Sequence, residues 1–60
     1  MDFHVGDKVE VIAQSDYEGL RGVVTEITCI GKIIRYSVTF TDALDPYTIS
    51  FLPQSLLKLT

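Results

Sequence analysis

The chain has little of the chemistry that stabilises small secreted proteins or anchors proteins in membranes. Its 60 residues include a single cysteine, Cys29, so no disulfide can form within the chain. This absence favours a reducing compartment, and we expect a cytoplasmic protein. No run approaches the roughly 18 apolar residues of a membrane-spanning helix. Residues 1–4 (MDFH) include an acid and no apolar run, which is not typical of a signal peptide.

Residues that hold metals or carry out catalysis are also scarce. One histidine, His4, and one cysteine are too few for a zinc site, which usually takes four ligands. No general acid, base or nucleophile set surrounds His4, and no glycine-rich phosphate loop is present. Asp42 and Asp45, close to Pro46, have the character of turn residues. The sequence therefore predicts no catalytic residue, no metal and no cofactor, and the chain is not expected to be an enzyme.

Positive charge is scarce as well. Five Lys and Arg stand against eight Asp and Glu, which gives a net charge of −3, and both signs are scattered along the chain. Nucleic-acid-binding domains usually concentrate positive charge on one face. The charge balance therefore favours a protein partner over DNA or RNA.

What the chain does contain is the pattern of one all-β domain covering residues 1–60. Its hydrophobic share of 47% excludes a disordered tail. Short runs rich in β-branched residues predict strands at 8–12, 23–30, 33–41, 47–52 and 57–59, with a single 3₁₀ turn at 53–56. At this length the pattern favours a five-stranded SH3-like barrel, whose closure would remove exposed sheet edges.

Alternation of polar and apolar residues predicts which side chains enter the core. The expected inward-facing side chains are Val9, Val11, Ile34, Tyr36, Val38, Phe40, Tyr47, Ile49 and Phe51. Strict alternation cannot place both Val24 and Ile27 inside, so we predict a β-bulge or bend near Thr25 and Glu26. Cys29 is expected to be buried or half-buried.

A KOW-like pattern lies in residues 5–12 (VGDKVEVI) and 19–24 (GLRGVV). It resembles the strand, loop and strand of the KOW motif, above all in the C-terminal domain of NusG-type transcription factors, and CarD-type polymerase-binding domains begin in a similar way. The motif residues are Gly6, Asp7, Gly22 and Val24. The resemblance implies an SH3-like barrel that binds ribosomal or transcription proteins, or RNA. Gly22 is expected either to take a positive φ or to pack too closely for a Cβ.

Five residues are candidates for contact with a partner: Tyr17, Glu18, Arg21, Arg35 and Tyr47. Tyr17, in a loop beside Glu18, either anchors a partner or folds back over the end of the barrel. Tyr47 either stacks on a base or belongs to the core. The two arginines either pair with phosphates or carboxylates of a partner or form weak ion pairs on the surface.

Four apolar residues fall off the predicted inward faces: Ile30, Ile33, Leu52 and Leu57. If they are exposed together, the patch is larger than monomers normally tolerate and marks a partner interface or a homo-oligomer. The other interpretation is an error in the predicted strand registers.

The leading functional hypothesis is a small non-catalytic module that docks on a protein, within the transcription or translation machinery. Three alternatives stay open. The first is a minimal SH3-barrel enzyme of the type II dihydrofolate reductase kind, although residues 48–51 (TISF) lack the Gln and Tyr that line the pore of that family. The second is a peripheral subunit of a photosynthetic or redox complex, because residues 36–40 (YSVTF) resemble a strand of small photosystem and ferredoxin-docking subunits. The last alternative is a single-stranded nucleic-acid binder.

Overall fold

The computed structural model describes residues 3–41 and 44–59, so Asp42 of the predicted loop lies outside the described residues. The protein is all-β, as the sequence predicts. Its elements are β1 Lys8–Val11, β2 Arg21–Ile30, β3 Ile33–Phe40, β4 Tyr47–Phe51, a 3₁₀ turn at Pro53–Ser55 and β5 Leu56–Lys58. The predicted number of strands and the 3₁₀ turn before the last strand are confirmed, with ends that differ by one or two residues.

The five strands form one antiparallel sheet in the order β4-β3-β2-β1-β5. Strands β2 and β3 form its centre and pair from Val23 with Thr39 to Ile30 with Ile33. Strand β5 returns to pair with β1, matching Val11 with Leu56. Strands β4 and β5 lie at the two edges of the sheet and are joined by the 3₁₀ turn, which begins at a proline. The sheet is therefore open between β4 and β5.

A small core fills the concave side of the sheet. Its buried side chains are Phe3, Val9, Val11, Val24, Tyr36, Val38, Phe40, Phe51 and Leu56. Alternation predicts most of them, because every second residue of a strand points to the same face. Burying a side chain of this kind stabilises the fold by about 1.5–3 kcal/mol. With so few of them, a domain of this size depends on each one.

The predicted bulge is confirmed between Val24 and Glu26, where Thr25 has no partner of its own on β3. The Thr25 hydroxyl lies 3.1 Å from the Thr39 hydroxyl on the convex face of the sheet. The extra residue changes the alternation, so that Val24 and Ile27 both lie on the core face. Val24 is fully buried, but Ile27 is 41% exposed.

The expectation that Ile27 and Ile34 enter the core is therefore wrong, and so is the expectation that Cys29 is at least half-buried, because this thiol is exposed. All three lie on the core face of the sheet. Ile27 and Cys29 lie on β2 beyond Val23, where the pairing of β1 with β2 ends, and Ile34 lies on β3 beyond Tyr36, where that of β4 with β3 ends. The predicted face of these side chains is correct, but no strand among residues 3–41 and 44–59 covers that face beyond these points.

Gly22 is a glycine because β2 and β3 approach closely at this point. A Cβ on Gly22 would lie 2.7 Å from the Thr39 carbonyl oxygen and 2.7 Å from Cγ1 of Val38. Of the two explanations expected for this residue, the structure supports close packing, since its φ is not positive. The buried side chain of Val38 can approach β2 only where β2 has no side chain.

Gly6 and Asp7 fix the position of the backbone just before β1. Gly6, at φ +99°, donates its N–H to the Val24 carbonyl at 2.8 Å. The Asp7 carboxylate accepts the His4 backbone N–H at 2.8 Å and lies 3.6 Å from Lys58 Nζ. The His4 hydrogen bond, assisted by the charge of Lys58, holds the pKa of Asp7 below its ordinary value of 3.8. Asp7 thus links the entry to β1 with the end of β5.

Replacing Gly22 with alanine tests the close approach of β2 and β3. We expect Gly22→Ala to lower the free energy of unfolding by about 1–3 kcal/mol, because the new Cβ overpacks the core. That is a large part of the about 3–5 kcal/mol that a single core of this size supplies. Urea denaturation followed by circular dichroism measures the loss. The exposed Cys29→Ala is the matched control and should change stability by about 0.5 kcal/mol or less; equal midpoints for the two variants would contradict the packing described.

Candidate functional site

The central hairpin of the sheet is longer than the strands beside it. Strand β1 pairs with β2 only as far as Val23, and β4 pairs with β3 only as far as Tyr36. Residues 26–35, here called the distal hairpin, therefore extend past β1, and residues 28–35 extend past β4 as well. Each residue of the distal hairpin is exposed. The overall dimensions of 34 × 21 × 21 Å reflect this elongation. This part of the chain lies outside the core.

The sequence of the distal hairpin explains why it still forms strands. Half of its ten residues are β-branched, which favours extended backbone. Gly31, at φ +61°, occupies the first position of a two-residue turn in which Lys32 has a negative φ. A glycine at that position suits the type II′ turn, whose twist matches that of the paired strands. The hairpin is thus locally specified although it has no core beneath it.

Four side chains on the convex face of the distal hairpin form the candidate site, here called the outer hairpin patch: Thr28, Ile30, Ile33 and Arg35. The register places Ile30 opposite Ile33 and Thr28 opposite Arg35, so all four point the same way. Together they line a depression of about 220 Å³. Ile30 is 74% exposed and Ile33 57%, although each would gain about 1.5–3 kcal/mol from full burial.

Arg35 stands at the edge of this apolar depression in a fixed position. Its Nε donates to Ser50 Oγ at 2.8 Å, and its Nη2 donates to the Ser50 carbonyl at 3.3 Å. A guanidinium has five N–H groups, and the others donate to no protein atom among the residues that the structure describes. Ser50 on β4 therefore orients a cation whose remaining donors are available to a ligand.

The core face of the distal hairpin is also apolar. Ile34 is opposite Cys29 and faces Leu52 and Pro53 across a shallow groove of about 390 Å³. Of the four residues expected off the inward faces, Ile30 and Ile33 are well exposed and Leu52 is half-buried. Leu57 is 49% exposed on β5, opposite Glu10 of β1, on a strand that does not pair with the hairpin. The four residues therefore do not form one patch.

Tyr17 packs against the core. Its ring stacks on Phe40 at 6.2 Å between centroids and meets Phe51 edge-on at 6.0 Å. The Ser15 hydroxyl accepts the Tyr17 backbone N–H at 3.2 Å, which folds the loop and directs this side chain inward. Of the two interpretations of Tyr17, this geometry corresponds to the cap. Glu18 beside it is exposed.

Tyr47 and Arg21 lie away from the outer hairpin patch. Tyr47, 37% exposed, lies 5.1 Å from the Phe40 ring and borders the aromatic group around Tyr17. Arg21 donates to Glu10 Oε1 at 3.0 Å, and its side chain is 69% exposed, which is typical of a weak surface ion pair. Of the five candidate contact residues, Arg35 alone belongs to the patch.

Sequence reasoning did not single out Thr28 or Ser50, whose roles depend on pairing across strands. Among residues 3–41 and 44–59, no group of three or more His, Cys, Asp or Glu side chains is placed to hold a metal ion. Within the same ranges, no helix has the length and apolar character that crossing a membrane requires.

Tyr17 gives a test of the cap. Tyr17→Ala should lower the free energy of unfolding by about 2 kcal/mol, roughly half the cost of removing a fully buried aromatic ring. Tyr17→Phe should leave stability nearly unchanged, because it keeps the ring on Phe40. Urea titrations of both variants measure the difference. A Tyr17→Ala variant as stable as the parent protein would mean that the ring serves a partner and not the core.

Comparison of the chain with protein-family models, with curated proteins and with solved structures finds no match. The chemistry of the outer hairpin patch therefore has to be inferred from its own residues.

Proposed function

We propose that this protein is a small, non-catalytic binding module that docks on a protein partner through the outer hairpin patch. The observation that carries the proposal is the exposure of Ile30 and Ile33 beside a cation fixed by Ser50. Apolar side chains that are exposed together and bordered by polar groups are typical of interaction sites. Thr28 and Arg35 supply that polar border, and the patch holds no nucleophile paired with a base.

The size of the depression favours a protein ligand over a small molecule. Pockets for cofactors and drug-sized ligands usually measure roughly 300–1,000 Å³ and enclose most of the ligand. The depression of about 220 Å³ is smaller and open on one side. It suits a single apolar side chain from a partner surface, as in the anchored contacts that dominate protein interfaces.

The charge around the depression specifies the partner further. The protein as a whole carries −3, whereas the distal hairpin carries two cations, Lys32 and Arg35, against one acid, Glu26. A carboxylate next to the anchoring side chain would accept the free N–H groups of Arg35, and charge-assisted hydrogen bonds of this kind are the strong ones. The proposed ligand is therefore an apolar residue flanked by an acid, on a protein surface.

The fold family is part of the same proposal. The five strands in one antiparallel sheet, the 3₁₀ turn before β5 and Gly22 near the start of β2 support an SH3-like domain with a KOW-like motif, whose sheet is open between β4 and β5. The resemblance to the KOW domain of NusG-type transcription factors directs the search for the partner to transcription and translation complexes in the cytoplasm. The single exposed thiol of Cys29 is consistent with a reducing compartment.

Site-specific photo-cross-linking tests the docking site. A photoreactive phenylalanine analogue at Ile33 should capture one defined protein from a lysate of the source, whereas the same analogue at exposed Gln14 should not. Adding Ile30→Glu and Arg35→Glu to the Ile33 probe should reduce capture by roughly tenfold or more, since these changes remove the apolar anchor and reverse the charge.

Circular dichroism of each variant is the control for folding, because all the substituted residues are exposed. Two results would contradict the proposal: equal capture by the Gln14 probe, or capture by the Ile33 probe that survives Ile30→Glu and Arg35→Glu.

A further inference from the structure

In the distal hairpin, one edge of β2 has no strand beside it within the described part of the chain. On that side, Gly6 and Asp7 hydrogen-bond the backbone of Val24 at 2.8 and 2.9 Å and close the edge there. From residue 26 to Ile30, the backbone of β2 pairs with β3 alone among the residues that the structure describes. An exposed edge rich in β-branched residues is a template for pairing with another strand.

We propose that this edge is covered by the same edge of a second copy of the chain, in a two-fold symmetric dimer with one sheet continuous across both copies. Residues 26–30 of each copy pair antiparallel. This inference goes beyond the proposed function and does not depend on it. Three features of the edge support a second copy as the occupant: the register that symmetry allows, the charges along the edge, and the point at which Gly6 and Asp7 end it.

The register follows from symmetry. Residues directly opposite each other in an antiparallel pair share a face of the sheet, and successive residues of one strand lie on opposite faces. The residue at the two-fold axis must therefore lie opposite the same residue of the second copy. An axis at Glu26 would set two carboxylates against each other. An axis at Ile27 would bring Ile30 of the second copy against Val24, where Gly6 and Asp7 already lie. Within residues 26–30, an axis at Cys29 would leave only three pairs of opposite residues, whereas an axis at Thr28 allows five.

The Thr28 register also matches the side chains. On the core face, Ile27 of one copy meets Cys29 of the other, so that two exposed apolar residues cover each other. On the convex face, Glu26 faces Ile30 of the second copy, one step from the turn that carries Lys32 of that copy. Because Asp7 lies where the free edge ends, Lys32 of the second copy approaches two acids, Glu26 and Asp7. Opposite charges placed in this way favour one register over the others.

The dimer would also extend the outer hairpin patch. The two patches would lie on the same face of the continuous sheet, on either side of the paired Thr28 residues.

Disulfide trapping tests the dimer and its register. With the natural thiol removed by Cys29→Ser, Thr28→Cys puts one thiol of each copy beside the axis. Antiparallel partners have Cα atoms about 4.5–5.5 Å apart, within the about 4.4–6.8 Å that a disulfide spans. Under mild oxidation we expect roughly tenfold more cross-linked dimer than from Gln14→Cys in the same background, because pairing holds the Thr28→Cys thiols at an effective concentration on the order of mM.

Sedimentation equilibrium of the unmodified protein should show a dimer, and Thr28→Lys, which places two cations at the axis, should give a folded monomer. Equal cross-linking from position 14, or a parent protein that stays monomeric at high concentration, would overturn the dimer. A monomer that still yields the Ile33 photo-cross-link would leave the proposed function intact. A dimer from which the Ile33 probe captures no partner would contradict the proposed function and leave the dimer intact. The two failures are therefore distinguishable.

Discussion

The length of the β2–β3 hairpin relative to its neighbours is the constraint on which the rest of the structure depends. Strand β2 has 10 residues, whereas β1 has four and β4 has five. The short strands can cover only the half of the hairpin nearest to Gly22, and the core forms there. The other half keeps its strand geometry through the turn at Gly31 and its own pairing. Exposure of isoleucines in a chain with so small a core is a direct consequence.

The bulge at Thr25 separates these two halves. On one side of it, Val24 is fully buried, and Gly22 allows Val38 to pack closely against β2. On the other side, the same face of the strand carries Ile27 and is open to solvent. A bulge increases local twist and bends a strand, so it marks the point at which the hairpin leaves the body of the sheet. The core and the outer hairpin patch therefore lie on different parts of one pair of strands.

How much of this the sequence predicts depends on the range of the interaction. The number of strands, the bulge and the burial of Val38 follow from local alternation and from the position of glycine. The exposure of Ile27 and Ile34 does not, because alternation identifies the face of a strand but not how far the neighbouring strands extend. Whether the two edges of the sheet meet is a long-range property for the same reason, and the sheet is open between β4 and β5. The site divides similarly: Ile30 and Ile33 are recognisable beside a turn, whereas the contact between Arg35 and Ser50 requires the register of β3 with β4.

The backbone–backbone hydrogen bonds of the distal hairpin run only between β2 and β3 among the residues that the structure describes. Amide hydrogen exchange in dilute protein tests this central claim most directly. Val11 and Val24 donate backbone hydrogen bonds to Leu20 and Asp7 within the body of the fold. Their amides should exchange only through extensive unfolding. Amides of residues 26–35 should exchange roughly tenfold faster or more, because a two-stranded ribbon is marginally stable in water. Equal protection of the distal hairpin and these core amides at high dilution would contradict the account.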